Sequence, residues 1–237
     1  MVLAVLSCAT LIRSVFGFGE ALIAVPVLAL IMPIEIAAPL ATLVSITVAA
    51  LVLVQDWSEV HVRSAGRLVL STLLGIPLGL LLLTKVAEPI AKAVLGSIIV
   101  AFSLYSLLSR RSHTLANDRL AWLFGFSAGI LGGAYSMNGP PLALYGSLRG
   151  WSPQQFRATL QGYFLPASLL VMCGYWLSGL WTPVVTRYYL LSVPAIIVAV
   201  FAGRIVNRRM QSHRFRFFIY AVLVVVGTVL LVQAFTR

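Results

Sequence analysis

Two ionisable residues, Arg13 and Glu20, lie in an otherwise apolar stretch near the start of the sequence. A charged side chain inside a membrane segment costs about 3 kcal/mol or more, and it usually faces a cavity or a partner. Glu20 could therefore couple transport to protons or act as a gate beside an anion site. Two structural roles are equally open. A carboxylate suits the positive end of a helix dipole, and Arg13 lies about two helical turns away.

Glycine and proline interrupt two apolar segments, at 15–26 and 129–141. Glycine permits a sharp turn, and proline removes an N–H group from the helical hydrogen-bond ladder. Irregular backbone at membrane depth survives only where it is buried in protein or lines a cavity, so the freed N–H groups and positive helix ends would form a site for an anion. We expect the substrate-binding residues to lie at the two breaks and beside them, with one more in a later span. They are Gly17, Phe18, Gly19, Glu20, Asn138, Gly139, Pro140, Pro141, Tyr135, Tyr145 and, in the later span, Gln161.

Several of these side chains also have a structural interpretation. The Asn138 amide can donate to an anion, but asparagine bonds readily to nearby backbone. Tyr135 and Tyr145 flank the second break, and tyrosine is common at membrane interfaces as well as being a donor to oxyanions. Gln161 lies in an apolar span and could line the pathway or bond across helices. Arg157, at the start of that span, is expected to be a cytoplasmic anchor.

The two interrupted segments occupy similar places in the two halves of the chain. A shift of 115 residues places Gly17 on Gly132 and Pro26 on Pro141. We therefore expect Pro26, Gly132 and Gly133 to act as structural breaks. Interrupted hydrophobic segments at matching places in two halves are the best sequence pointer to a transporter's binding site.

About eight hydrophobic helical segments must carry these residues. Of the 237 residues 60% are hydrophobic and 10% are charged, against roughly 25% charged in soluble domains. Such a chain needs lipid as its solvent, so the predicted fold class is an all-α integral membrane protein. Besides the broken stretches 1–32 and 119–148, the apolar runs that approach the length of a span are 36–54, 67–84, 88–108, 158–178, 186–203 and 217–235.

The predicted organisation is one transmembrane domain of two inverted-repeat halves, each opening with a broken, re-entrant-like segment. Residues 1–108 form the first repeat, 109–118 a basic cytoplasmic linker and 119–237 the second repeat. Close helix contacts are expected where glycines recur at every fourth residue, because small residues let backbones approach. These glycines are Gly75 and Gly79 in the first half, and Gly125, Gly129 and Gly133 in the second.

The basic residues favour this topology. If every segment simply crossed the membrane, the basic residues would divide almost evenly between the two sides. If each broken segment returns to its own side, as a re-entrant hairpin or as two short spans, they divide twelve to four, as the positive-inside rule expects, and both termini face outward. The twelve are Arg63, Arg67, Arg110, Arg111, Arg119, Arg149, Arg157, Arg204, Arg208, Arg209, Arg214 and Arg216, and the four are Lys85, Lys92, Arg187 and Arg237.

Short motifs occur in a consistent order along the chain. The run 17–26 and the run 138–145, followed by Arg149-Gly150-Trp151-Ser152 and Phe156-Arg157-Ala158, resemble the two signatures of the sulfite exporter TauE/SafE family. Asp56-Trp57 and the run 75–79 are further matches. The resemblance covers nearly the whole chain. It implies a multi-pass permease of the cell (inner or plasma) membrane for sulfite, an organosulfonate or a related organic acid. Glu20 departs from the family, which often has glycine or an apolar residue there.

Other functions fit the sequence less well. The net charge of +11 comes from loop residues without interleaved aromatics, so no nucleic-acid partner is expected. His61, His113 and His213 lack metal-ligand spacing, and Cys8 and Cys173 are predicted to be packed thiols in apolar stretches. We predict no metal and no cofactor. An anion channel is the main alternative to a permease.

An intramembrane enzyme is the least favoured class, because it would need a paired acid and base or a metal cluster at membrane depth. No such set accompanies Arg13 and Glu20 in the sequence. The expected partners are the anionic substrate and the lipid bilayer. The small-residue helix faces would also permit a homodimer.

Overall fold

The computed structural model describes residues 1–56, 60–108 and 119–207, together with the helical residues 224, 225, 227–229, 231, 232 and 234. The predicted linker at 109–118 and most of the predicted span at 217–235 lie outside these residues. In the described ranges the regular structure is helical, and nine helices have defined bounds. They are α1 (Val2–Phe16), α2 (Glu20–Ala29), α3 (Ile34–Asp56), α4 (Val62–Lys85), α5 (Glu88–Leu108), α6 (Ala121–Tyr135), α7 (Gly139–Leu148), α8 (Pro153–Leu177) and α9 (Pro183–Asn207).

Five of the described helices, α3, α4, α5, α8 and α9, are long and apolar enough to cross a membrane. The other four are too short to cross alone. At about 1.5 Å per residue, α1 and α6 reach about 22 Å and α2 and α7 about 15 Å, against the roughly 30 Å of a hydrocarbon core. The predicted all-α membrane protein, with two broken segments among longer spans, is therefore confirmed.

Many apolar side chains point outward, as expected of a protein whose solvent is lipid. Leu74, Leu81 and Val198 are each more than half exposed on the long helices. Cys8 and Cys173 also lie on outward faces, so the prediction that they are packed thiols is wrong. An apolar neighbourhood in the sequence does not imply burial by protein when lipid covers the outer helix faces.

Each half opens with the same layout: a helix of 15 residues, a break of three residues and a helix of 10 residues. The register shift between the halves is 119 residues, from residue 2 to residue 121, and it also carries the start of α3 onto the start of α8. The predicted shift of 115 is therefore wrong. It matched glycine to glycine, whereas the residue equivalent to Gly17 is Ser136, the left-handed cap of α6.

The three expected structural breaks lie inside helices. Pro26 is the seventh residue of α2, and the helix continues to Ala29. Helices in membrane proteins tolerate proline, because neighbouring groups replace the hydrogen bond that it removes. Gly132 and Gly133 are within the last turn of α6. A Cβ on Gly133 would lie 2.6 Å from the Ile76 carbonyl oxygen, so this glycine serves close packing against α4.

Glycine sets the closest helix contacts. A Cβ on Gly79 would lie 2.9 Å from the Cα of Gly133, and one on Gly129 would lie 3.0 Å from the Cα of Gly75. The close helix contacts predicted at these glycines are confirmed, and they join α4 to α6. A second contact between the halves is that of α1 with α9, where Gly203 approaches the carbonyl of Leu11. The helices α3 and α8 pack on each other between these two pairs.

Candidate functional site

The first break, residues 17–19, depends on two glycines with left-handed backbone. Gly17 has a φ of 85° and caps α1, and Gly19 has a φ of 101° and precedes α2. An L residue pays about 1–2 kcal/mol for this conformation, whereas glycine adopts it freely. A Cβ on Gly17 would also lie 3.2 Å from the Cα of Arg157, so α8 packs tightly against the break.

The second break, residues 136–138, is formed differently. Ser136 takes the left-handed conformation with a φ of 57°, and its N–H donates to the Gly132 carbonyl at 2.8 Å. The N–H of Met137 donates to the Leu131 carbonyl at 3.1 Å. The Ser136 bond is the 5→1 bond of an αL cap, a common way to end a helix. The helix α7 then begins at Gly139.

Each break is held by a polar side chain from the opposite half. Gln161 on α8 donates from Nε2 to the Gly17 carbonyl at 2.6 Å. Thr42 on α3 donates from Oγ1 to the Ser136 hydroxyl at 2.8 Å. Positions 42 and 161 are 119 apart, which is the register shift of the two halves. Helix α8 of the second half thus bonds the first break, and α3 of the first half bonds the second break.

The two breaks face each other across one small cavity. Its walls come from both breaks and from α1, α3 and α8, and they include Arg13, Gly19, Glu20, Ser45, Asn138 and Gly139. The volume is about 20 Å³, which is enough for a single water molecule. The N-terminal ends of α2 and α7 both border this cavity, so the positive ends of two half-helices converge there.

The two helix ends are unequal donors of hydrogen bonds. At α2 the first N–H used within the helix is that of Ile23, which bonds Gly19. The first turn of α7 contains Pro140 and Pro141, which have no N–H group. Proline suits the first turn because its φ is already helical. It also leaves α7 with fewer donors for an anion than α2.

Two of the residues that line the cavity are charged, Arg13 and Glu20, and they form an ion pair. Arg13 is 3% exposed and Glu20 is 1% exposed, and Arg13 Nη1 lies 2.5 Å from Glu20 Oε2. The salt bridge expected from the spacing is therefore present. Glu20 is also the first residue of α2, so its carboxylate lies at the positive end of that helix. The carboxylate thus pairs with Arg13 at the positive end of the helix, but it makes no capping hydrogen bond among the described residues.

Further contacts hold the Arg13 guanidinium. Nη1 donates to the Ser45 hydroxyl at 2.7 Å, and Nη2 donates to Gln161 Oε1 at 2.8 Å. The guanidinium carbon lies 4.7 Å from the centre of the Phe164 ring, in a cation–π contact. Within this ion pair, Arg13 Nε and Glu20 Oε1 have no hydrogen-bond partner among the described residues.

The structure divides the sequence-predicted site residues into two groups. Those that border the cavity are Gly19, Glu20, Asn138, Gly139 and Pro140. Phe18 lies next to it, where a Cβ on Gly139 would contact the Phe18 ring at 3.8 Å. Gln161 is buried against the cavity wall, through Arg13 and Gly17. A role in binding substrate stays a prediction for all of them.

The two tyrosines are not among the lining residues of the cavity. The Tyr135 hydroxyl donates to the Ala91 carbonyl on α5 at 3.0 Å. Tyr145 is fully buried, with its ring 5.5 Å from the rings of both Phe124 and Trp151. Their side chains therefore pack the scaffold beside the second break.

Sequence reasoning missed several residues at the site. Ser45 and Phe164 contact Arg13, and Thr42 holds the second break. The periodicity of α3 gives no warning of Thr42 or Ser45, because small hydroxyl residues are common in membrane helices. The shift of 119 residues would have indicated Thr42, because it makes Thr42 the equivalent of Gln161 in the other half.

Comparison with known proteins gives a family assignment. The family model described as "Sulfite exporter TauE/SafE" matches residues 2–230. No curated protein and no solved structure matches the chain.

Proposed function

This chain belongs to the sulfite exporter TauE/SafE family, and we propose that it is a secondary transporter of a small anion such as sulfite, an organosulfonate or a related organic acid. The family is one of membrane transporters, so the class of function follows from membership. The proposal goes beyond membership in naming the transported anion. The observation that carries it is the cavity between two broken segments, where the buried Arg13 lies beside the N-terminus of α2.

The depth of the cavity supports a transport site. The break between α1 and α2 lies about 22 Å from one end of the broken segment and about 15 Å from the other. A break that far from both ends of an apolar segment can lie within the roughly 30 Å hydrocarbon core whether the segment crosses the membrane or returns to its own side. Discontinuous helices that meet near the midplane are where transporters bind substrates, because helix ends replace the hydration of an ion.

The size of the cavity implies movement. A volume of about 20 Å³ holds one water molecule, so an anion of several heavy atoms requires the walls to separate. The packing suggests which parts would move as units. Helix α4 is locked to α6 by glycine contacts, and α1 packs on α9. Rocking of these two bodies about the α3–α8 contact would open the cavity to each side in turn.

An inverted arrangement of the two halves is part of the proposal. Its support is that exchanging the halves preserves the helix contacts: α1 on α9 becomes α6 on α4, and α3 on α8 becomes itself. The distribution of basic residues supports opposite orientations of the halves in the cell membrane.

Transport by the purified chain in proteoliposomes tests the proposal. Radiolabelled sulfite, methanesulfonate and acetate would be offered under imposed pH and voltage gradients, with protein-free liposomes as the control. Saturable uptake that follows a gradient is expected for at least one sulfur-containing anion. Unsaturable, ohmic current would instead identify an anion channel. Absence of flux for every anion would refute the proposal.

A further inference from the structure

We infer that Arg13 is the residue that binds the anion, and that Glu20 occupies Arg13 until an anion and a proton arrive together. This inference rests on the proposed function and names the group that recognises the substrate. The two roles belong to one site, because Arg13 and Glu20 both line the cavity between the breaks and contact each other.

The ends of α2 and α7 alone are poor binding groups for an anion. An anion held only by helix ends would depend on free N–H groups from both α2 and α7. The Pro140-Pro141 pair removes two of these donors from α7, and the negative charge of Glu20 lies at the start of α2. A fixed positive charge is therefore needed for an anion to be stable in the cavity. Arg13 is the positive charge among the lining residues.

Arg13 is arranged to exchange one oxyanion for another. Ser45, Gln161 and the Phe164 ring hold the guanidinium in place independently of Glu20. A sulfonate or carboxylate presents the same pair of oxygens as Glu20 and matches the planar fork of guanidinium donors. Arg13 Nε, which has no partner in the described residues, is an additional donor for a ligand.

The carboxylate is also arranged to take a proton. Only one Glu20 oxygen bonds Arg13, and Oε1 has no partner in the described residues. If an anion displaced Glu20 from Arg13, an ionised carboxylate would be left buried without compensation, which is far costlier than the neutral acid. Protonation of Glu20 therefore accompanies the arrival of the anion.

No other described group near Glu20 would take over this proton. The helices in closest contact with α2 are α1, α3, α5 and α7, and α8 adds the neutral Phe164 to the cavity wall. The first supplies Arg13 and the second the neutral Ser45. The charged residues Glu88 and Lys92 of α5 pair with each other at 3.0 Å and do not line the cavity. The cavity side of α7 is formed by Gly139 and Pro140.

The exchange fixes a stoichiometry. One proton binds the Glu20 carboxylate for each anion that binds Arg13, and both leave when the ion pair forms again. A monovalent anion is therefore carried without net charge. Its apparent affinity should rise by about tenfold for each unit that the pH falls, as long as Glu20 is ionised in the free protein.

The test uses radiolabelled methanesulfonate, whose own charge is constant between about pH 5 and pH 8, so that any pH dependence belongs to the protein. Counterflow into proteoliposomes is measured at equal pH on both sides for the wild type, Glu20→Gln and Arg13→Gln. The matched controls are Glu35→Gln and Arg63→Gln, which neutralise exposed residues at the starts of α3 and α4. Gel filtration and thermal unfolding establish that each variant is folded.

The expected results separate the two residues. Glu20→Gln keeps counterflow but loses its pH dependence, and its net uptake becomes sensitive to voltage. Arg13→Gln weakens the apparent affinity by about 100-fold or more, as expected for loss of a charge-assisted, bidentate contact. Both controls match the wild type. If Glu20→Gln does not fold, Glu20→Asp takes its place and should retain the pH dependence.

Specific results would overturn the inference. Wild-type counterflow that is independent of pH would refute it, as would Glu20→Gln with an unchanged pH dependence or Arg13→Gln with wild-type affinity. A loss of pH dependence in Glu20→Asp would do the same. Failure of the proposed function has a different signature, because the wild type would then transport none of the anions offered.

Discussion

Gln161 donates from Nε2 to the carbonyl oxygen of Gly17 at 2.6 Å, although the two residues are 144 positions apart. The same amide accepts a hydrogen bond from Arg13 Nη2 at 2.8 Å. One side chain of the second half thus fixes both the broken backbone of the first half and its buried cation. The geometry of the site therefore depends on the contact between the halves as well as on the residues that line the cavity.

Replacing Gln161 with methionine should destabilise the protein and weaken anion transport. The substitution leaves the Gly17 carbonyl and one Arg13 N–H without a partner, and each buried group left unpaired costs about 1–3 kcal/mol. Thermal unfolding in detergent and the apparent affinity for methanesulfonate measure the two effects. The control is Leu169→Met, on the outward face of the same helix. Equal unfolding temperatures for the two variants would contradict the role given to Gln161.

The Arg13–Glu20 pair should show strong coupling in a double-mutant cycle. Removing one partner of a buried ion pair leaves an uncompensated charge and costs about 3–5 kcal/mol, whereas removing both leaves none. Arg13→Gln and Glu20→Gln together should therefore be less destabilising than the sum of the two single changes. Thermal or denaturant unfolding of all four proteins gives the coupling. Additive losses would show that the two side chains act independently in the folded protein.

The Arg13→Gln variant should also lose stability as the pH rises from about 5 to about 8. Without its partner, the buried Glu20 must hold a proton in the folded state, whereas the unfolded chain releases it. The folded state then binds more protons than the unfolded state, and stability falls with increasing pH. Unfolding temperatures measured across this range check the sign. The Arg63→Gln control should follow the wild type.

Composition and the glycine- and proline-rich runs were enough to predict an all-α membrane protein with two broken segments. The register failed, because it matched Gly17 to a glycine, whereas the structure places Ser136 in the equivalent left-handed cap. The hydrogen bond from the Ser136 N–H to the Gly132 carbonyl caps the end of α6 with serine in that conformation, and no sequence period reveals it. Thr42 was missed for a related reason, because its partner belongs to the other half of the chain.

Helix packing between α4 and α6 should be sensitive to a single methyl group. An alanine at Gly79 would place its Cβ 2.9 Å from Gly133 Cα and closer still to the Ile130 carbonyl oxygen, so the two helices must separate. Overpacking of this kind costs about 1–3 kcal/mol. The matched control is Gly66→Ala in the same helix, where a Cβ has no neighbour within 4 Å. That change should be neutral or stabilising by up to about 1 kcal/mol, because alanine favours helix. Thermal unfolding of both variants distinguishes them, and equal losses would contradict this account of the packing.

Alanine at Gly19 should impair transport more than it impairs folding. Gly19 has a φ of 101°, and its nearest neighbour to an added Cβ is Ile12 at 4.0 Å, so the cost is conformational strain of about 1–2 kcal/mol and not a clash. Relief of that strain would turn the first residues of α2, and with them Glu20, away from the cavity. Gly179→Ala is the matched control, because Gly179 also has a positive φ, 72°, and open space around it, but it does not line the cavity. The two variants should lose similar stability in thermal unfolding, while only Gly19→Ala loses methanesulfonate counterflow, by about tenfold or more. Equal counterflow in the two variants would show that the backbone conformation of the first break does not affect substrate binding.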